Sequence, residues 1–205
     1  PESIRRFCEA IGITKSEGTV EMGVLENSIR GHLDTTAPRR MAVLKPLKVT
    51  ITNLPDDHSE VVVAPNHPKD ESMGTREVVV TREVFIDRDD FRESANKKYK
   101  RLVLGGEVRL RNAYVIRCDE AIKNESGEVI ELRCTMDPDT LGKNPEGRKV
   151  RGVVHWVSAS RGLRVDVRLY DRLFKSPEPG RTGDFLSDLN PDSLSVLTDC
   201  VVEQA

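Results

Sequence analysis

The sequence predicts a mainly β protein that opens with a small helical subdomain. Three observations carry this. Apolar residues recur at helical spacing before Pro38 and at a spacing of two after it. The apolar runs after Pro38 are short, and Gly-, Pro- and Asn-containing turn signals separate them. At 205 residues the chain is long enough to bury a core, and it shows no internal repeat or low-complexity tract. Many short strands divided by turns point to β-barrels or sandwiches.

The elements follow in order. Ser3 stands as an N-cap, Ile4, Phe7, Cys8 and Ile11 form a helical stripe, and Gly12 closes the helix. A second helix is expected from Thr19, with Met22, Leu25, Ile29 and Leu33 as its apolar stripe. The polar loop Thr14–Gly18 would join the two as a helical hairpin. Leu47, Val49 and Ile51 then alternate with Lys48, Thr50 and Thr52, the pattern of a half-buried strand. Val61–Val63, Val78–Val80 and Val84–Ile86 are further strand cores, and Asp87–Glu93 suggests a short helical turn. Leu102–Leu104, Gly105-Gly106 and Val108–Ile116 are expected to form a hairpin turning at the glycines. Ser126-Gly127 marks a turn between Ala121–Ile122 and Val129–Cys134, and Asp137–Lys149 is a Pro/Gly/Asn-rich loop. Val150–Val157, Leu163–Phe174 and Leu194–Val196 complete the strands. Residue 1 already stands at a helix entrance without an initiator Met, and SLSVLTDCVVEQA stops without a clear terminal element, so a piece of a longer protein is expected.

Composition excludes several classes. No apolar run approaches the ~20 residues of a membrane helix. Cys8, Cys118, Cys134 and Cys200 form no Cys-x-x-Cys pair and read as free thiols of a cytoplasmic protein, with a Cys118–Cys134 bridge left open. His32, His58, His67 and His155 share no metal-ligand spacing, so no metal site is assigned. There is no G-x-S-x-G elbow, P-loop or Rossmann fingerprint, and Asp87, Asp89 and Asp90 read as helix-start acids. His155 beside Trp156 reads as a satisfied histidine in a packed strand.

Charge is where the sequence becomes specific. Residues 95–118, ANKKYKRLVLGGEVRLRNAYVIRC, hold Lys97, Lys98, Lys100, Arg101, Arg109, Arg111 and Arg117 against Glu107 alone. That stretch is +6 in a chain whose net charge is −2. Side chains at i and i+2 of a strand share a face, so Arg109 and Arg111 would leave the sheet together, about 7 Å apart, while Val108 and Leu110 face the core. Arginine is suited to bidentate bonds with phosphates and base edges. Tyr99 and Tyr114 would supply stacking surfaces. The acidic remainder of the chain opposes non-specific binding along a duplex, so a localised basic groove suits a single-stranded segment with splayed bases. An acidic protein partner, and a solvated basic face balanced by acids elsewhere, also fit the pattern.

Several long motifs resemble one family. NKKYKRLVLGGEVRLRNAYVI, VRGVVHWVSAS, VRLYDRLF and LNPDSLSV are similar to the C-terminal anticodon-binding region of bacterial glutaminyl-tRNA synthetases, class I aminoacyl-tRNA synthetases. PRRMAVLKP, PNHP and IDRDDFRE extend the resemblance over essentially the whole chain. It implies a helical subdomain at 1–37 that links to a catalytic domain. A proximal anticodon-binding β-barrel would use 38–88 and 150–205, and a distal barrel would be inserted at 89–149.

The resemblance also implies function. The parent enzyme would join glutamine to its tRNA with ATP and magnesium, and the barrels would read the anticodon loop. Arg39 matches a contact to the middle base, Arg101 with Lys98 and Lys100 matches the group around the third base, Arg109 matches the first base, and Arg111 matches the neighbouring backbone. Lys98 stands where a well-known member of the family carries glutamine, which leaves a phosphate contact and a base contact both open. Arg40 follows Arg39 and would point the other way. Family members carry further middle-base residues in a segment beyond residue 205. No His-Ile-Gly-His or Lys-Met-Ser-Lys signature is present, so no catalytic residue, ATP site or metal is assigned within the chain, which is expected to be non-catalytic alone. The implied partners are tRNA(Gln) and the catalytic domain of the same protein, with no membrane, in a cytoplasmic monomer. A glutamyl-tRNA synthetase of the archaeal or eukaryotic type, and a barrel that binds only protein, are the alternatives.

Overall fold

A computed structural model describes residues 1–205 except 14, 16, 17, 97, 182 and 205. Lys97 and most of the expected Thr14–Gly18 loop therefore lie outside the described residues. The chain divides into two compact units, residues 1–39 with 171–193, and residues 40–170 with 194–205.

In the first unit, α1 spans Glu2–Ile11 and α2 spans Met22–Thr36. The cap of α1 is Pro1, not Ser3, and α2 starts three residues after the expected Thr19. Gly12 closes α1 as expected, with φ 71° and its N–H on the Cys8 carbonyl. The Ser28 hydroxyl donates to the Ser3 carbonyl at 2.8 Å and ties the helices together. Residues 171–193 are grouped with these helices and not with the strands on either side of them. Neither helix buries a residue fully, and Ile4, Ile29 and Leu33 of the two apolar stripes stay exposed.

The second unit is built of strands with short 3-10 turns at Glu71–Met73, Arg88–Asp90 (the helical turn expected within Asp87–Glu93) and Pro138–Thr140. In chain order the strands are β1 (Ala42–Val43), β2 (Pro46–Ile51), β3 (Ser59–Pro65), β4 (Thr75–Thr81), β5 (Glu83–Asp87), β6 (Phe91–Arg92) and β7 (Leu102–Val103). They continue as β8 (Glu107–Leu110), β9 (Val115–Lys123), β10 (Val129–Asp137), β11 (Val153–Val154), β12 (Val157–Ser158), β13 (Leu163–Tyr170) and β14 (Leu194–Val202). Among the described residues, β11-β8-β9-β10-β2-β5-β12 form a seven-stranded sheet and β1-β14-β13 a three-stranded one. β3 with β4, and β6 with β7, form two-stranded ribbons. β2 is an inner strand, parallel to β10 and antiparallel to β5. Its alternation is as read from sequence: Leu47, Val49 and Ile51 are buried and the residues between them are half-exposed. Each such fully buried Leu or Ile contributes roughly 1.5–3 kcal/mol.

β11 and β12 lie at opposite ends of the seven-stranded order, yet only His155 and Trp156 separate them in the chain. The sheet must therefore curl until its two edges nearly meet. Trp156 fills the gap between them, fully buried. The sequence reading of Val150–Val157 as one strand is corrected accordingly: the run pairs with β8 at one end and with β5 at the other.

The basic hairpin is also placed differently from the expectation. β7 pairs in parallel with β6, and the reversal lies between β8 and β9, where Ala113 N–H donates to the Leu110 carbonyl. Asn112 supplies the left-handed position of this turn, φ 60°. The glycines do make a turn, with Gly106 N–H on the Val103 carbonyl at 2.9 Å and Gly105 at φ 73°, but it joins no hairpin, because β7 pairs with β6 while Gly105 N–H and the Gly106 carbonyl bond the main chain of Cys118. Cys118 and Cys134 are cross-strand neighbours, buried and present as free thiols.

Candidate nucleic-acid interface

Val108 and Leu110 are fully buried, so β8 turns Arg109 outward, and Arg111 emerges at the start of the turn. Both main-chain groups of Arg111 are held. Its N–H donates to the Val154 carbonyl at 3.0 Å, and its carbonyl accepts from the Trp156 indole N–H at 2.9 Å. The buried tryptophan thus fixes the base of Arg111 while the guanidinium stays exposed.

Arg101 is built differently. Its Nε donates to Asp90 Oδ1 at 2.7 Å, and Nη1 lies 3.5 Å from the Val153 carbonyl. Asp90 is mostly enclosed, and burial raises its carboxyl above the ordinary value against the pull of Arg101. The contacts with Asp90 and Val153 hold Nε and Nη1 and leave Nη2 without a protein partner among the described residues. Asp90 sits in the short helical turn Arg88–Asp90, as read from sequence, and its carboxylate in addition holds Arg101.

Lys98 and Lys100 are exposed, with the Lys98 N–H on Asn96 Oδ1 at 3.0 Å. Residues 151–153 pack directly on the Lys100 turn: a Cβ on Gly152 would lie 2.5 Å from the Lys100 carbonyl oxygen. Among the described residues, the side chains of Lys98, Lys100, Arg111 and Arg151 have no hydrogen-bond or ion-pair partner. Elsewhere on this unit, cations such as Lys45, Lys48, Arg76, Arg82 and Arg133 are paired with carboxylates.

Three expected features sit elsewhere or are otherwise engaged. Arg109 Nη1 donates to the carbonyls of Ala113 at 2.9 Å and Thr140 at 2.6 Å, and Nη2 donates to that of Lys143. Burial lowers its pKa from the usual arginine value, though it stays a cation. The outward face of β8 was legible, but the guanidinium meets a loop and not open solvent. Tyr114 is buried, with its hydroxyl on Glu60 Oε1 at 2.7 Å, so it offers no stacking surface. Arg39 belongs to the helical unit, where it donates to the Asp34 carboxylate at 2.7 Å and to the Leu33 and Asp34 carbonyls at the end of α2. Arg40 instead donates to Asn66 Oδ1 at 3.0 Å.

Sequence reasoning missed Asp90, Arg151 and His155. β11 lies in register with β8, Val153 opposite Arg109 and Val154 opposite Leu110, so the following residue, His155, arrives beside Arg111. It lies between the two strands with its side chain reaching solvent, although the ring is partly enclosed by its neighbours. Burial of the ring and then Arg111 lower its pKa, against Asp90. The signal available in sequence was the alternation Val153, Val154, His155, Trp156, which turns histidine outward once Trp156 is placed inside. A cleft of about 890 Å³ opens elsewhere on the unit, between Thr50, His58, Arg82, Glu131, Arg133 and Arg161. Arg82 and Arg133 there are paired with Asp56 and Glu120, so it holds less uncompensated charge than the 98–111 face.

An edge of a curled β-sheet that presents unpaired cations around a clamped arginine has the form of a single-stranded nucleic-acid reader. Comparison with known proteins gives the class. Residues 37–137 and 153–205 match two models described as tRNA synthetases class I (E and Q), anti-codon binding domain. Together they take in most of the chain, and the chain belongs to this family of anticodon-binding domains. It is similar to a glutamine–tRNA ligase of Pseudomonas aeruginosa, 59% identical over 206 residues, covering 99% of this chain and 37% of the relative. The enzyme of the same name from Pseudomonas putida is 59% identical over 99% of the chain and 36% of its own length. That of Cronobacter sakazakii is 56% identical over 95% and 35%. The chain thus spans little more than a third of the length of the curated relatives it matches.

Proposed function

We propose that the face formed by Lys98, Lys100, Arg101, Arg111 and Arg151 reads the anticodon loop of tRNA(Gln) for a glutamine–tRNA ligase. The observation that carries this is the set of unpartnered cations around the Arg101–Asp90 clamp, in a chain that is otherwise acidic. Arg101 presents a fixed fork and is assigned to the third base. Arg111 and the lysines are assigned to the backbone phosphates. Arg39 is assigned to the middle base from the helical unit. The guanidinium of Arg109 is occupied by three carbonyls, so its part is assigned to holding residues 140–143 beside the Arg111 turn. The arrangement of a proximal barrel interrupted by a distal one, the monomeric state and the cytoplasmic location belong to the same proposal.

The ligase reaction itself, with ATP and magnesium, is placed on parts of the protein outside these residues. Among the described residues no cluster of three His, Cys, Asp or Glu is placed to hold a metal ion, and no step of the reaction is assigned to them.

The test is a pair of substitutions read against hairpin RNAs that differ at one triplet position. Arg101→Ala should lose discrimination at the third base, about 1–3 kcal/mol for a bidentate pair to a guanine edge. Arg111→Ala should weaken all RNAs alike and flatten the salt slope by about 0.7, one phosphate contact fewer on a single strand. Equal losses for every triplet in Arg101→Ala, or an unchanged slope in Arg111→Ala, would remove the respective assignment.

A further inference from the structure

Single-stranded RNA readers combine cations with flat rings on which unstacked bases lie. The rings near this face are Phe91, Tyr99, Tyr114, His155 and Trp156. Phe91, Tyr114 and Trp156 are buried. Tyr99 is half-buried, with its hydroxyl on the Asp89 carbonyl at 3.1 Å and the Arg92 guanidinium 4.6 Å from its ring centre. His155 is the exposed one of the five.

Its position is fixed from both sides. Val154 before it is paired with Leu110 in the ladder, and its carbonyl accepts from Arg111 N–H. Trp156 after it is locked in the core, with the indole N–H on the Arg111 carbonyl. A side chain between two such anchors cannot turn inward, so the imidazole is held at the surface beside Arg111. The charged groups that act on it are Arg111, Asp90 and Arg101, with Glu203 weakest. These include the two arginines to which the third base and the backbone are assigned above.

We propose that His155 is a further RNA-contacting residue of this face, a stacking platform for a base splayed out between Arg101 and Arg111. This rests on the reading of the face as an anticodon reader, and it names a contact that reading lacks. With Tyr114 buried and one face of Tyr99 covered by Arg92, His155 supplies the ring that a purely cationic face would miss. The neutral imidazole suits this role. Beside two guanidinium groups a third cation is disfavoured, and an uncharged ring stacks without competing for phosphate.

The experiment compares the wild-type chain with His155→Ala and His155→Phe, using a hairpin RNA whose loop carries CUG and a loopless RNA duplex, at two salt concentrations. Trp156 is the single tryptophan, and its fluorescence checks that the neighbouring core of each variant is intact. The expected result is about tenfold weaker hairpin binding for His155→Ala, within the range for loss of one stacked base. His155→Phe should stay within about threefold of wild type, because the ring is retained. The salt slope should not change in either, since no phosphate contact is lost. Duplex binding should be the same for all three. Wild-type hairpin affinity in His155→Ala, or a loss in His155→Phe as large as in His155→Ala, would overturn the platform while leaving the reader in place. A wild-type chain that fails to prefer the hairpin over the duplex would overturn both.

Discussion

Gly152→Ala is the substitution whose consequence can be worked most fully from the structure. An added Cβ would lie 2.5 Å from the Lys100 carbonyl oxygen and 2.9 Å from Val108 Cγ2. Ordinary carbon–oxygen contact begins near 3.3 Å, so roughly 0.8 Å must be opened against a backbone atom that cannot swing aside. Val108 is fully buried. Gly152 cannot retreat cheaply either, since its carbonyl accepts from Arg109 N–H at 3.0 Å and holds β11 on β8. Overpacking of this kind costs typically 1–3 kcal/mol, and an immovable partner places it near the upper end, about 2–3 kcal/mol. For a chain of this length that lowers the melting temperature by roughly 4–12 °C. The strain also separates the Lys98–Arg101 turn from Arg111, so hairpin RNA affinity should fall about tenfold, the factor for 1.4 kcal/mol. Thermal melting followed by Trp156 fluorescence, with hairpin binding on the same preparation, reads both effects. A melting temperature within 1 °C of wild type together with unchanged affinity would refute the reasoning.

Two further outcomes follow from the same geometry. Arg109→Ala removes three donors from the carbonyls of Ala113, Thr140 and Lys143; amide exchange over residues 141–147 should quicken about tenfold or more while the core strands stay protected, and protection unchanged in that loop would show that Arg109 does not hold it. Tyr114, one of three tyrosines, has its phenol pushed up to about 12 by burial and by the Glu60 carboxylate. The folded state therefore favours the neutral phenol. The stabilisation this gives is complete below the unfolded value near 10 and is lost as pH rises from about 10 to about 12. An ultraviolet titration should show a phenol that ionises only near pH 12 and disappears in Tyr114→Phe, and a titration with no phenol that late would contradict it.

Much of the fold was legible because local pattern and burial agree. The alternation in Pro46–Ile51, the hairpin at Ser126-Gly127 and the two opening helices are set by residues within a few positions of one another. What failed needed long-range partners. Gly105-Gly106 does turn the chain, as its local signal says, but the strands on either side of it pair elsewhere, β7 with β6 and β8 with β9, so the hairpin reverses at Asn112. Val150–Val157 looks like one strand because nothing local says that its two halves pair with different edges of one sheet. At the site, periodicity turned Arg109 outward correctly, but what its guanidinium meets depends on a loop about thirty residues away. His155 was read as packed because its valine neighbours are apolar. The buried Trp156 is what turns it out.

The 98–111 face is proposed above to read a single-stranded triplet. This is tested most directly by binding this chain to a tRNA with anticodon CUG and to the same tRNA with CUC, at 50 and 200 mM salt. The account predicts a preference for CUG at both concentrations. With about five phosphates neutralised, it also predicts a fall in affinity of roughly 100-fold between them. Salt-insensitive binding, or equal affinity for the two anticodons and for an unrelated RNA, would contradict it.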